Sequence, residues 1–393
     1  MEYIKLKNAC SKIGSGSTPK GGASVYIDEG TALIRSQNVY NLSFSYKGLA
    51  HINEEAAYKL RGVTIKKNDI LINITGDSVA RTCIVPDDVI PARVNQHVAI
   101  IRPNNKILNP FYLSYYLASP FMQATMLNHA IGKGASRNAM TKEMIGNYLV
   151  PQPCIFIQEK IVGILKKYDT LIENNNKRIK LLEQMAENLY KEWFVRFRFP
   201  GYEDVEFVGT LPIGWQYQPI SESMDFFDSQ RVPLSSMQRD EMEKIYPYYG
   251  AAKLMDYVDD YLFDGEYLLL GEDGTVVTTD GFPVLQLVND KFWVNNHAHV
   301  IRGKGNISTR FLYLTFCRFP ITGVVTGSAQ PKISKGRLEK LKILVPDAIT
   351  MEHFNNLINP MFDEINVLKK QLIRITKQRD MLLPRLMSGK LKV

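Results

Sequence analysis

Several places in the sequence carry residue types that do chemistry in other proteins. The stretch GSGSTPK at 14–20 has the glycines, hydroxyls and lysine of a phosphate-cradling loop, but it departs from GxxxxGK[ST], so ATP binding is not expected there. At 109–112 the sequence reads NPFY, near the NPPY of enzymes that methylate amino groups. Its third position is Phe, and no Gly-rich nucleotide loop follows a strand at suitable upstream spacing. His97, His297 and His299 are metal-ligand types without an Asp, Glu or Cys set at metal-site spacing, which favours ordinary strand histidines. Glu266, Glu272, Asp273 and Asp280 are the kind of carboxylates that hold Mg²⁺ in nucleases, yet such residues are common in loops. Cys10, Cys83, Cys154 and Cys317 stand far apart and form no CxxC pair, so neither a disulfide framework nor a thiolate metal cluster is expected.

A second set of residues suits recognition rather than catalysis. With 48 Lys and Arg against 40 Asp and Glu, the net charge of +8 favours a polyanionic partner. Arg35, Gln37 and Asn38 follow one apolar run, and Arg93, Asn95 and Gln96 precede another. Arg pairs with guanine O6 and N7, and Asn or Gln with adenine N6 and N7, whereas Lys20, Lys133 and Lys142 suit phosphate oxygens. Ser136, Arg137 and Asn138 lie in GKGASRN near a helix start, where the other reading is a cap and a solvated loop. Farther along, Tyr249, Lys253, Gln286, Asn295, Asn296 and Lys304 are contact candidates, and Gln330 and Lys332 flank Pro331. Most of the 20 Tyr and 18 Phe are expected in cores, so no stacking stripe is assigned.

The elements that must position these residues come in duplicate. The 393 residues, 45% hydrophobic, at about 150 residues per domain, point to two or three domains. MEYIKLKNACSK lacks an apolar h-region and no run approaches 18 apolar residues, so no signal peptide or membrane span is expected and the cytoplasm is the default location. NQHV at 95–98 and NNHA at 295–298 each follow a Gly-containing turn between apolar runs, ILINITGDSVA and YLLLGEDGTVV. FYLSYYLASP matches FLYLTFCRFP, GASRNAMTKEMI matches GSAQPKISKGRL, and both halves reach LVP. A motif that recurs in both halves is expected to maintain the fold, which is the preferred account of Asn95 and His97.

Each half continues into a heptad seam. Ile161, Leu165, Tyr168, Ile172, Asn175, Ile179, Leu182, Ala186, Leu189 and Trp193 alternate spacings of four and three, as do Ile358, Met361, Ile365, Leu368, Leu372, Ile375, Arg379, Leu382 and Leu386. Asn175 and Arg379 interrupt the seams, either to set register or because the seam is locally exposed. Pro384 is expected to end or kink the second helix, and SGKLKV to form a loose basic tail. The expectation is an α/β protein: two similar mixed α/β domains, 1–152 and 199–347, joined by long helices at 153–198 and 348–393 that pair as an antiparallel coiled coil. The Pro/Gly-rich stretch 199–218 forms the connector.

CSKIGSGSTPK with ALIRSQNV, ILINITGDSVA with NQHVAIIRP, NPFYLSYYL with GKGASRNAMTKEMIGNYLVPQP, and the two helical segments together resemble the specificity subunits of type I restriction-modification systems, over essentially the whole chain. The resemblance implies a non-catalytic protein whose two target-recognition domains read the halves of an asymmetric split site in double-stranded DNA. Its helices would space the domains and dock two modification subunits. Those subunits bind S-adenosylmethionine and methylate adenine, while restriction subunits use ATP and Mg²⁺ for translocation and cleavage. The alternatives are a self-contained DNA methyltransferase or nuclease with divergent motifs, and an orphan or phase-variable member of the same family.

Overall fold

The structure is a computed structural model. It describes residues 2–131, 139–327 and 330–393. Two compact units emerge, Met1–Glu173 with Leu372–Val393, and Asn174–Gln371, so compactness divides each long helix internally.

In the first unit, β1 (Cys10–Ser15), β2 (Thr31–Ile34), β3 (Ala50–Ile52), β4 (Ile70–Asn73), β5 (Thr82–Ile84), β6 (Ala92–Val94) and β7 (Val98–Pro103) form two four-stranded sheets. One is antiparallel in the order β1–β7–β4–β5. The other runs β6–β2–β3 to an edge strand at Tyr26–Ile27, with β6 parallel to β2. The two-residue period of a strand sorts its side chains between two cores. Ile70, Ile72 and Ile101 face a core shared with the helices, whereas Leu71, Val98 and Ile100 join Ile34 and Val94 in the other.

Two helices follow, α1 (Pro110–Ala118) and α2 (Pro120–Ala130), where the sequence pattern predicts a single helix near 111–128. Pro120 has no N–H and disfavours a helical Ser119, which stays extended and caps α2 through the Met122 N–H. Next comes α3 (Ile155–Tyr190), continued by a wider turn at Lys191–Val195.

The second unit contains β8 (Met224–Phe226), β9 (Tyr246–Tyr249), β10 (Leu254–Val258), β11 (Phe263–Gly271), β12 (Leu285–Val294), β13 (Ala298–Gly303), α4 (Thr309–Phe316) and most of α5 (Ala348–Met387). Its main sheet has six strands in the order β8–β13–β11–β12–β9–β10. Here one ten-residue strand, β12, pairs antiparallel with β11 and parallel with β9. In the first unit β5 and β6 divide those two pairings, so the second unit fuses what the first keeps as separate sheets.

Within each unit the helices pack antiparallel. In the first, Ile161 and Leu165 are buried with Leu383 and Leu386, and the Arg379 guanidinium donates to Asp169 at 2.9 Å. In the second, Ile179, Ile358, Ile365 and Leu368 are buried, the Asn175 amide donates to Gln371 at 3.2 Å, and Arg178 reaches Glu364. Ile172, Leu182, Leu189, Leu372, Ile375 and Leu382 are half-buried. Both seam interruptions make polar contacts to the facing helix, which favours register over exposure. α5 runs past Pro384, which sits exposed in its last turn, and ends at Met387; the tail beyond is mostly exposed, with Val393 packed against the core of the first unit.

Candidate nucleic-acid interface

Each unit builds the same backbone frame at one end of its central strands. Asn95 and Asn295 are buried, and their side-chain oxygens accept from the N–H groups of His97 (3.1 Å) and His297 (2.9 Å). The Asn95 N–H donates to the Ile34 carbonyl at 3.0 Å, and the Asn295 N–H to that of Tyr249 at 3.1 Å. The carbonyls of His97 and His297 accept from Ile74 (3.0 Å) and Glu272 (2.8 Å). Beyond β4 and β11 the chain turns at left-handed glycines, Gly76 (φ 75°) and Gly274 (φ 90°). The Thr75 hydroxyl meets the His97 ring at 2.7 Å, and Asp273 meets the His297 ring at 3.6 Å. Thr75 then bridges to Ala139 and Asp273 to Lys332.

From this common frame hang loops of different length. β2 reaches β3 through 35–49, which carries a small hairpin of Val39–Tyr40 with Ser43–Phe44, whereas β9 reaches β10 through the tight turn 250–253. The order reverses at the next hairpin, 74–81 in the first unit and 272–284 in the second. The first unit thereby forms a cleft of about 600 Å³ lined by Gln37, Tyr40, Asp77, Ser78, Arg81 and His97.

The sequence-derived candidates divide accordingly. Gln37 lines the cleft, although its amide also donates to Gly48 at 3.0 Å; Gln96 is exposed beside His97, and Lys20 is exposed. Asn38 is corrected: it is fully buried, its oxygen accepting from Arg35 N–H and its amide donating to Ser45. Arg35 donates to the Gly48 carbonyl and Arg93 to that of Ala57, so both hold loops together, and burial lowers the pKa of Arg93. Lys142 begins the short helix Lys142–Asn147 and lines a separate groove with Lys7 and Lys12. Lys133, Ser136, Arg137 and Asn138 lie outside the described residues.

In the second unit Lys253, Asn296 and Gln330 are exposed at the frame end, and Lys332 reaches Glu272 at 3.5 Å. Tyr249 occupies the register of buried Ile34, packs on Phe292 and has its pKa raised by burial, so it belongs to the core. Asn295 builds the turn described above, and Gln286 donates to Gly250 at 3.0 Å. Lys304 lies past the far end of β13 from Asn296, beside Asp225 at 3.9 Å, and does not join the others. Sequence reasoning missed Tyr40, Asp77, Ser78 and Arg81. For Asp77, Ser78 and Arg81 the signal was divergence around the shared Gly76 and Gly274, where the two halves align and their neighbours differ; Tyr40, in loop 35–49, carried none.

Several of the residues that suggested catalysis have other partners. Gly16 sits where a Cβ would fall 2.0 Å from the Val94 carbonyl, which explains a glycine in GSGSTPK through close backbone approach. Asn109 of NPFY caps α1 by accepting from Phe111 N–H at 2.9 Å, and Glu266 pairs with Arg310. Asp228, Glu272 and His299 bring ligand-type atoms within 4.8 Å of one another. Arg231 already donates to Glu272 at 2.6 Å, and the His299 ring contacts Asp228 at 2.6 Å and the Ile333 carbonyl at 2.8 Å. Burial alone would raise the Asp228 pKa; the His299 and Val300 hydrogen bonds and Arg231 outweigh it and hold the carboxyl below its ordinary value. The first unit has Ser15 and Ala99 paired at the corresponding strand register.

Charge is also unequal. The first unit carries 26 Lys and Arg against 14 Asp and Glu, a net +12, and the second 22 against 26, a net −4. Among the described residues no helix is long and apolar enough to cross a membrane.

Frame, duplication and helices define a protein made of two homologous recognition modules. The chain matches the family described as the type I restriction modification DNA specificity domain over residues 1–184 and 212–369, and it belongs to that family. It is 27% identical to the type I restriction enzyme MjaIX specificity subunit of Methanocaldococcus jannaschii, over 99% of this chain and 93% of that one. It is also 24% identical to the EcoprrI specificity subunit of Escherichia coli, over 58% and 57%. The crystal structure of the type I restriction-modification system S subunit from M. genitalium shares the fold, with a TM-score of 0.63 at 14% identity and coverage of 98% and 95%.

Proposed function

We propose that this chain is the non-catalytic specificity subunit of a type I restriction-modification complex. Its recognition domains, 1–152 and 199–347, each read one part of an asymmetric split sequence in double-stranded DNA. The long helices at 153–198 and 348–393 join the domains and receive two modification subunits, which use S-adenosylmethionine to methylate adenine. Restriction subunits, with ATP and Mg²⁺, cleave unmodified DNA, and the complex works in the cytoplasm.

The observation that carries this reading is one frame displaying two different sets of loops. Shared residues such as Asn95 and Asn295 keep the frame, while loops 35–49 and 272–284 have no counterpart of equal length. Different loops on a common scaffold suit two unlike half-sites. The test is selection from a randomised duplex pool by the chain assembled with its modification subunits. Two conserved patches separated by a spacer of fixed length are expected; recovery of unenriched DNA would refute sequence recognition.

A further inference from the structure

The duplicated frame separates side chains that build it from side chains it displays, and in the cleft of the first unit Arg81 has an unusual setting. Its backbone is fixed twice: its N–H donates to Ser78 at 3.2 Å, and its carbonyl accepts from Asn73 at 2.9 Å. The guanidinium lies over the Tyr40 ring, 4.9 Å from its centroid, and meets no hydrogen-bond acceptor among the described residues. Arg35 and Arg93, offered by the sequence for the same task, have their guanidinium groups bonded to the Gly48 and Ala57 carbonyls. An arginine seated on a ring is pre-ordered while its planar N–H edge stays available, the state that favours bidentate recognition.

The second unit shows which chemistry is particular to the first. The Asn73 N–H bonds to the Arg81 carbonyl, and in the same register the Gly271 N–H bonds to the Val284 carbonyl at 3.0 Å. Counting from the matched glycines, Asp77 corresponds to Thr275. One frame position therefore displays a guanidinium in one unit and an isopropyl group in the other.

Resting on the reading of this chain as a DNA specificity subunit, we infer that Arg81 is the base-reading residue of the first unit. It donates from two N–H groups to O6 and N7 of a guanine in the major groove, with Tyr40 as its platform. Asp77 is exposed on the same cleft.

The test maps adenine methylation genome-wide in cells holding the modification subunits and either the wild-type or the Arg81→Ala chain. The wild-type motif should contain a guanine in one half. In Arg81→Ala that position should relax, its preference falling roughly 5- to 150-fold, while the other half stays intact. Arg81→Lys keeps the charge without the fork and should relax the same position. An unchanged motif in Arg81→Ala, or equal loss in both halves, would overturn the assignment. If Arg81→Ala fails to accumulate, Tyr40→Leu removes the platform and should relax the same base; a motif that survives it unchanged also overturns the proposal. A wild-type chain that directs no motif would remove the specificity reading and this assignment together, an outcome distinct from a motif that persists.

Discussion

Asn95 and Asn295 do the same work 200 residues apart, each closing a turn onto the N–H of a following histidine. Replacing either with Ala leaves that N–H without its partner and should cost about 1 kcal/mol in thermal or denaturant unfolding, with the DNA motif unchanged. A changed motif with unchanged stability would reverse their assignment from frame to reader. Asp228 yields a pH prediction. Its folded pKa lies below the ordinary carboxylate value of about 3.9, so its stabilisation is complete above that value and is lost as pH falls through the lower, folded one. Asp228→Asn should therefore be less stable than wild type near neutrality and converge with it in acid; a gap constant across pH would contradict the pairing. Residue types alone could not separate these roles. Asn38, Arg93 and Tyr249 have the chemistry of DNA contacts, and only burial and partners show them holding loops and cores. The setting of Arg81 is not legible in the sequence because it depends on Tyr40, placed beneath it by a hairpin that sequence periodicity does not reveal.

At the scale of elements, long patterns were readable and interruptions were not. Both seams follow from alternating spacings of four and three, because a helix repeats that stripe on one face. Leu165→Ala and Leu368→Ala, at 0% and 1% exposure, should each cost about 2 to 5 kcal/mol by leaving a cavity; a loss below 1 kcal/mol would argue that the seam is loosely packed. Pro120 broke a predicted helix, whereas Pro384 is accommodated in the last turn of α5. Ser119 has a cap to offer, and the last turn of α5 can lose an N–H bond where solvent reaches it. Fusion of two sheets through β12 lay beyond the sequence, since it depends on one strand continuing where its counterpart is split into β5 and β6.

Across the whole molecule, the +8 of the sequence conceals a division between a unit of +12 and one of −4. Phosphate attraction should come mainly from the first unit, so affinity should fall steeply with salt. If exposed Lys20 touches a phosphate, Lys20→Gln should weaken binding to all sequences alike and reduce the log–log salt slope by about 0.9; an unchanged slope removes Lys20 from the contact set. Duplication, visible in the sequence as paired motifs, was the most informative global feature, because it told which residues ought to be shared before their contacts were known. Target choice stayed hidden, for it rests on loop conformation and side-chain pose. The central claim is that this chain gives a modification complex its sequence. Adenine methylation should therefore be mapped genome-wide in cells expressing the cognate modification subunits, with and without the chain. The account predicts one asymmetric, split motif that appears only when the chain is present; methylation with the same pattern in both cells, or none despite an assembled complex binding S-adenosylmethionine, would contradict it.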